Sequence, residues 1–154
     1  DVVDAAIIIA VQVDPRLYAV RLDRNNVYAI ASDTMAREQK LQKPADLKDH
    51  TVLVHSDMPL IFNAWREAVG EPRLKPAAID HIDSGPLMLE AAANGLGVAI
   101  MHGSHFSDAK DPRLVRLFDV EVESPYSYWF VCRPRALKQR AVRIFHDWLL
   151  KSGV

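Results

Sequence analysis

His81-Ile-Asp-Ser-Gly-Pro-Leu-Met-Leu-Glu-Ala-Ala-Ala-Asn-Gly-Leu-Gly-Val-Ala-Ile-Met101 is the stretch from which the rest of the chain is read. It spells a strand, a turn, one helix, a tight turn and a second strand. Ile79 and Ile82 close the first strand. Asp83 and Ser84 are good helix N-cap residues, and Pro86 falls where a first-turn proline is tolerated. Leu87 to Asn94 follow at helical spacing, with Leu89, Ala93 and Leu96 on one face. Gly95 suits the left-handed position that ends a helix, with Leu96 folding back on the last turn. Val98-Ala99-Ile100-Met101 is a continuous apolar run of the kind buried on both faces of a parallel sheet. The three alanines let the helix lie close to that sheet. The unit is βαβ.

Polarity then places chemistry. The helix begins at the carboxyl end of its preceding strand, where open α/β sheets bind ligands. Free N–H groups there, Gly85 and Leu87 among them, can meet an anionic or carbonyl oxygen, although Pro86 removes one donor. The residues alone leave two readings open: Ser84 only caps the helix, or it also faces a ligand.

Working outward, Val2 to Val13 carries a buried-strand signal and Asp14-Pro15 marks a turn. Tyr18 to Leu22 and Val27 to Ala31 are two further strand segments. Thr34 to Lys40 is a short helix, Pro44 to Lys48 a helical turn and Thr51 to His55 a strand. Leu60 to Val69 is an amphipathic helix with Ile61, Trp65, Ala68 and Val69 on one face, stopped by Gly70. Ala77 to Ile82 feeds the central unit. His102 to Pro112 is polar, with a helical turn or two within Ser104 to Ala109. Leu114 to Phe118 is a short strand. Tyr126 to Cys132 is another, whose alternation puts Tyr126 and Tyr128 on one face and Trp129 on the other. Arg135 to Lys151 is the clearest helix. Its buried face is expected to be Leu137, Ala141, Ile144, Phe145, Trp148 and Leu149, with His146 on the solvated side. Strands alternating with helices predict an α/β fold with a mostly parallel or mixed sheet.

The 154 residues suffice for one domain or two small lobes. A hydrophobic fraction of 49% and a charged fraction of 25% are those of an ordinary globular protein. The net charge of −1 excludes a bulk basic footprint for nucleic acid. The single cysteine, Cys132, excludes an intrachain disulfide and a Cys-rich zinc site. No run is long enough to cross a membrane and no signal peptide is visible, so no membrane partner is expected. The chain starts at Asp1 and opens almost at once into an apolar run, as a truncated domain would.

His102 and His105, with Asp108 following, have a metal-compatible spacing but no third strong ligand, and no metal site is expected. No serine sits in a nucleophile elbow and Cys132 reads as an inert buried thiol. No phosphate-binding glycine motif occurs; Asn94-Gly95-Leu96-Gly97 follows a helix instead of preceding one. No cofactor and no catalytic residue is therefore assigned.

Several segments occur in an order that resembles a known family. They are Lys43-Pro-Ala-Asp-Leu-Lys-Asp-His-Thr-Val-Leu53, Trp65 with Gly70, Asp83-Ser-Gly85, Leu89-Glu-Ala-Ala-Ala-Asn-Gly-Leu-Gly-Val-Ala-Ile100 and Arg113-Leu-Val-Arg-Leu-Phe118. Together they resemble the effector-binding (substrate-binding) domain of LysR-type transcriptional regulators. Val3-Asp-Ala-Ala-Ile7 is similar to the strand before that family's first hinge crossing. Tyr128-Trp129 and the closing helix with Phe145 and Trp148 are similar to the subgroup of the glycine-cleavage activator and the β-lactamase regulator.

The resemblance implies a two-lobed, periplasmic-binding-protein-like (type 2) α/β fold with the second lobe complete and the first partial. Residues 1–23 would be partial first lobe and first crossing, 24–117 the second lobe, and 118–154 the return crossing and the C-terminal part of the first lobe. The DNA-binding domain would be absent. It implies a cytoplasmic bacterial regulator, a homodimer or homotetramer. A small-molecule effector would sit between the lobes and modulate DNA binding and transcription by the full-length protein. Ser84, Gly85, Pro86, Met101, His102 and Tyr128 would contact that effector. The effector's identity stays open, and DNA would be reached only through the absent domain. The alternatives are a periplasmic solute-binding protein of similar fold and, behind it, an enzyme.

Overall fold

The computed structural model describes residues 4–152, and the start of the first apolar stretch, Val2 and Val3, lies outside them. The chain divides into two compact units, one of residues 25–125 and one formed by residues up to Arg24 together with those from Tyr126 on.

The larger unit is built on a five-stranded sheet of order β5-β4-β6-β3-β7. The strands are β3 (Asn26–Ser32), β4 (Thr51–His55), β5 (Ala78–Ile82), β6 (Val98–His102) and β7 (Leu114–Glu123). Both β5 and β6 run parallel to β4, so β5, α3 (Gly85–Ala93) and β6 make the expected βαβ unit with β4 between its strands. β3 is antiparallel to β6 and to β7, which makes the sheet mixed. Every residue of β6 is buried, as its apolar run predicts. β5 is different. As the edge strand it is mostly exposed, and Ile79 is 42% accessible.

The buried residues of helix α3 are Gly85, Met88, Leu89 and Ala92. Met88, Leu89 and Ala92 join Ile30, Leu53, Ala99 and Met101 in one core cluster. The buried stripe is therefore phased on 85, 88, 89 and 92, where the sequence predicts 89, 93 and 96. The cause lies at the helix end. Gly95 takes φ +76, and the N–H groups of Gly95 and Leu96 bond the carbonyls of Ala92 and Ala91. That is a Schellman turn. It sends the Leu96 side chain outward, where it is 65% exposed.

Helix α1 (Asp33–Glu38), the 3-10 turn Pro44–Asp49, α2 (Ile61–Ala68) and α4 (Gly103–Ala109) complete this unit. In α2 the buried residues are Ile61, Phe62 and Trp65, while Ala68 is exposed. β7 is twice the expected length. Its pairing with β3 shifts register between Val27 and Ala29, and Phe118 stands at φ +59 in the bulge. The strand resumes beyond it to Glu123, so the larger unit extends to residue 125.

The smaller unit holds a three-stranded sheet, order β1-β8-β2, of β1 (Ala5–Ala10), β2 (Tyr18–Arg21) and β8 (Ser127–Cys132). Both outer strands are antiparallel to β8. Tyr126 precedes β8 and is buried, whereas Tyr128 is 43% exposed; the shared face expected for the two tyrosines does not form. A 3-10 turn, Pro134–Lys138, precedes α5 (Arg140–Ser152).

Val142 and Leu149 are the buried residues of α5, and its neighbours Phe145 and His146 lie against Phe130 at ring distances of 6.1 and 5.4 Å. Ile144 and Trp148 are more than half exposed. The apolar stripe is wider than the face that packs. His146 is not on a solvated side: its Nε2 is 2.7 Å from Tyr18 Oη and its Nδ1 3.0 Å from Asp147.

Arg113 ties α3 to the start of β7, with its guanidinium 2.9 Å from Glu90 and 2.7 Å from Asp111. Hydrogen bonds from Arg113 hold both carboxyls below their ordinary range. A depressed carboxyl contributes stability above its unfolded value and loses it as pH falls through the folded value. Acid unfolding should therefore be less steep in Arg113→Ala than in the parent below about pH 4.5, read by circular dichroism. A second outcome concerns the core. Ile100→Ala, in the fully buried β6, should cost about 2–5 kcal/mol in urea unfolding, while Leu96→Ser should stay within about 0.5 kcal/mol.

Candidate effector site

The chain leaves β5 at Ile82 and enters α3 through Ser84, whose extended backbone (φ −143°, ψ 123°) is that of an N-cap. Ser84 Oγ accepts a hydrogen bond from the Leu87 N–H at 3.3 Å, and the Ser84 carbonyl takes the Met88 N–H at 2.9 Å. The two donors read from the sequence are thus not equivalent. Leu87 is engaged by its own cap, whereas the Gly85 N–H precedes the first helical bond and has no intrahelical acceptor. Gly85 is buried and Pro86 exposed.

The end of β6 supplies the second group. Met101 is 2% exposed, its side chain in the core cluster beneath α3. His102 is 3% exposed, closes β6 and caps α4. Its Nε2 lies 2.6 Å from Ser124 Oγ, and the Ser124 N–H in turn donates to Asn25 at 2.8 Å. The imidazole is held by β6 on one side and the end of β7 on the other.

A residue that sequence reasoning did not place in the site joins these two groups. His105, on the first turn of α4, lies against Gly85: a Cβ at Gly85 would stand 2.9 Å from its ring. Glycine is what allows this approach of α4 to the start of α3. His105 also lines a groove of about 340 Å3 with Pro86, Leu89, Glu90, Asp108, Ala109 and Asp111. The visible signal was the His102/His105 spacing, but only the packing of α4 on α3 gives it meaning. Tyr128 belongs to the smaller unit, where its N–H donates to Asp23 at 2.8 Å and its side chain is exposed.

Two parallel strands meeting a helix through a capped βα turn, in a mixed sheet with a second small unit, is the arrangement of a periplasmic-binding-protein-like α/β fold. The family model described as the LysR substrate binding domain matches residues 1–153, and the chain belongs to that family.

The HTH-type transcriptional activator AmpR of Pseudomonas aeruginosa is 33% identical over 119 residues, covering 74% of this chain and 38% of that protein. The chain thus spans well under half the length of that relative. The solved effector domain of the same regulator superposes with a TM-score of 0.79 at 28% identity, over 97% of this chain and 72% of that one. The regulatory domain of CrgA from Neisseria meningitidis shares the fold, with a TM-score of 0.72 at 21% identity over 99% of this chain and 76% of that one.

The glycine contact yields a direct test. Gly85→Ser should lower the urea midpoint by the equivalent of about 1–3 kcal/mol and move the His105 ring resonances. Adding His105→Ala should recover most of the loss.

Proposed function

We propose that the chain senses a small molecule at the βα turn of Ser84 and Gly85, as the effector-binding domain of a LysR-type transcriptional regulator. The occupied site would modulate how the full-length protein binds DNA and regulates transcription of its target. The observation that carries this reading is the Ser84 cap at the carboxyl end of β5, beside a Gly85 N–H that has no acceptor within its own helix. Capping and binding are compatible. A serine hydroxyl has one donor and two acceptor positions, and the Leu87 bond uses only an acceptor. Ser84 O–H and Gly85 N–H can then both donate to one carboxylate or carbonyl oxygen, with the positive end of α3 favouring negative charge.

His102 is fixed by Ser124 and acts on this reading as a buried support behind the turn. Met101 sets the packing beneath it. In a regulator the consequence of binding is a shift between conformational populations, with no bond made or broken. We also assign the full-length protein to the cytoplasm and to a homodimer or homotetramer, as membership of a DNA-binding regulator family supports.

The test is isothermal titration of the 154-residue chain with amino acids, short carboxylates, aromatic acids and muropeptides. At least one compound is expected to bind saturably. Ser84→Ala should weaken it about tenfold, the loss of one hydrogen bond to a charged group. The cap itself costs about 1 kcal/mol of stability when removed, so affinity and not melting temperature is the readout. Saturable binding that Ser84→Ala leaves unchanged, or no binding across the panel by a cooperatively folded chain, would overturn the reading.

A further inference from the structure

The smaller unit carries a concave basic surface that the effector reading does not use. A cavity of about 600 Å3 is lined by Asp14, Arg16, Leu17, Arg133, Pro134 and Arg135. Three guanidiniums against one carboxylate leave a surplus of two positive charges, in a chain whose net charge is −1. We propose that Arg16, Arg133 and Arg135 form a binding site for a small, multiply charged anion, a phosphate or a polycarboxylate.

Backbone hydrogen bonds fix the two segments from which these exposed side chains project. On one wall, the turn after β1 is closed by the Leu17 N–H bonding Asp14 O at 3.0 Å and by the Arg16 N–H bonding Asp14 Oδ1 at 2.9 Å. On the other, Arg133 follows directly on β8, and Tyr18 pairs with Cys132, so Leu17 and Arg133 leave the ladder side by side. Pro134 then opens a 3-10 turn closed by Ala136 N–H to Arg133 O at 2.8 Å.

The charges are unequal in use. The Asp14 carboxylate grips Arg16 with both oxygens, at 2.7 to 3.2 Å. That pair engages Nε and Nη2 of Arg16 and leaves the Nη1 donors facing away from Asp14. Arg16 holds the Asp14 carboxyl down at about 2, so the pair stays ionised in any ordinary buffer. Among the described residues, Arg133 and Arg135 have no hydrogen bond or ion pair from their side chains. Guanidinium forks match carboxylate and phosphate oxygens two at a time, which favours a compact dianion over a single charge. Leu17 and Pro134 supply the apolar part of the lining, and the volume is that of a small-molecule site.

The experiment is a 15N NMR titration of the full 154-residue chain with sodium phosphate and, separately, citrate, ionic strength being held constant with sodium chloride. Saturable shifts are expected at the amides of Leu17, Arg133, Arg135 and Ala136. Arg133→Ala and Arg135→Ala should each raise the dissociation constant at least tenfold. Arg135→Gln, which keeps the stem, should do the same and separates charge from packing. Saturation by phosphate alone assigns the phosphate class, and by citrate alone the polycarboxylate class. The proposal is overturned if neither saturates, if sodium chloride alone reproduces the shifts, or if the arginine variants titrate like the parent.

Discussion

Strand β6 is the constraint on which the larger unit depends. It is hydrogen-bonded to β4 on one side and to β3 on the other, and its five residues are buried. A strand with both faces covered must be apolar throughout, which Val98 to Met101 satisfy. It must also leave the sheet at a polar residue that is already satisfied, and His102 does so through Ser124. Because β6 is fixed, the start of α4 is fixed. Because α4 is fixed, His105 comes to rest against Gly85, and the two ends of the βαβ unit meet.

Local chemistry was legible in the sequence. Ser84, Pro86 and Gly95 each act within one helical turn, so their roles as cap, first-turn residue and left-handed terminator follow from residue type alone. The apolar run of β6 carried its own burial. The order of the segments carried the family, which the whole-chain match establishes.

What was not legible depends on tertiary position. The bulge at Phe118 hides the second half of β7, because a backbone kink interrupts the alternation that marks a strand. α5 has more apolar surface than its sheet covers, so periodicity overstated the packed face and sent His146 to the wrong side. His105 gives no sign of its role until α4 is docked on α3. Met101, which the resemblance puts at the site, has its side chain in the core cluster, a burial that only the packed structure displays.

The central claim is that a ligand is read at the turn between β5 and α3. The most direct measurement is chemical-shift mapping on the 15N-labelled chain with whichever panel compound binds. The account predicts that the largest perturbations fall on Ser84, Gly85, Leu87, His102 and His105, with the Gly85 amide moving downfield as it gains an acceptor. Perturbations centred instead on α1 or α2, with the Gly85 amide unmoved at saturation, would contradict it.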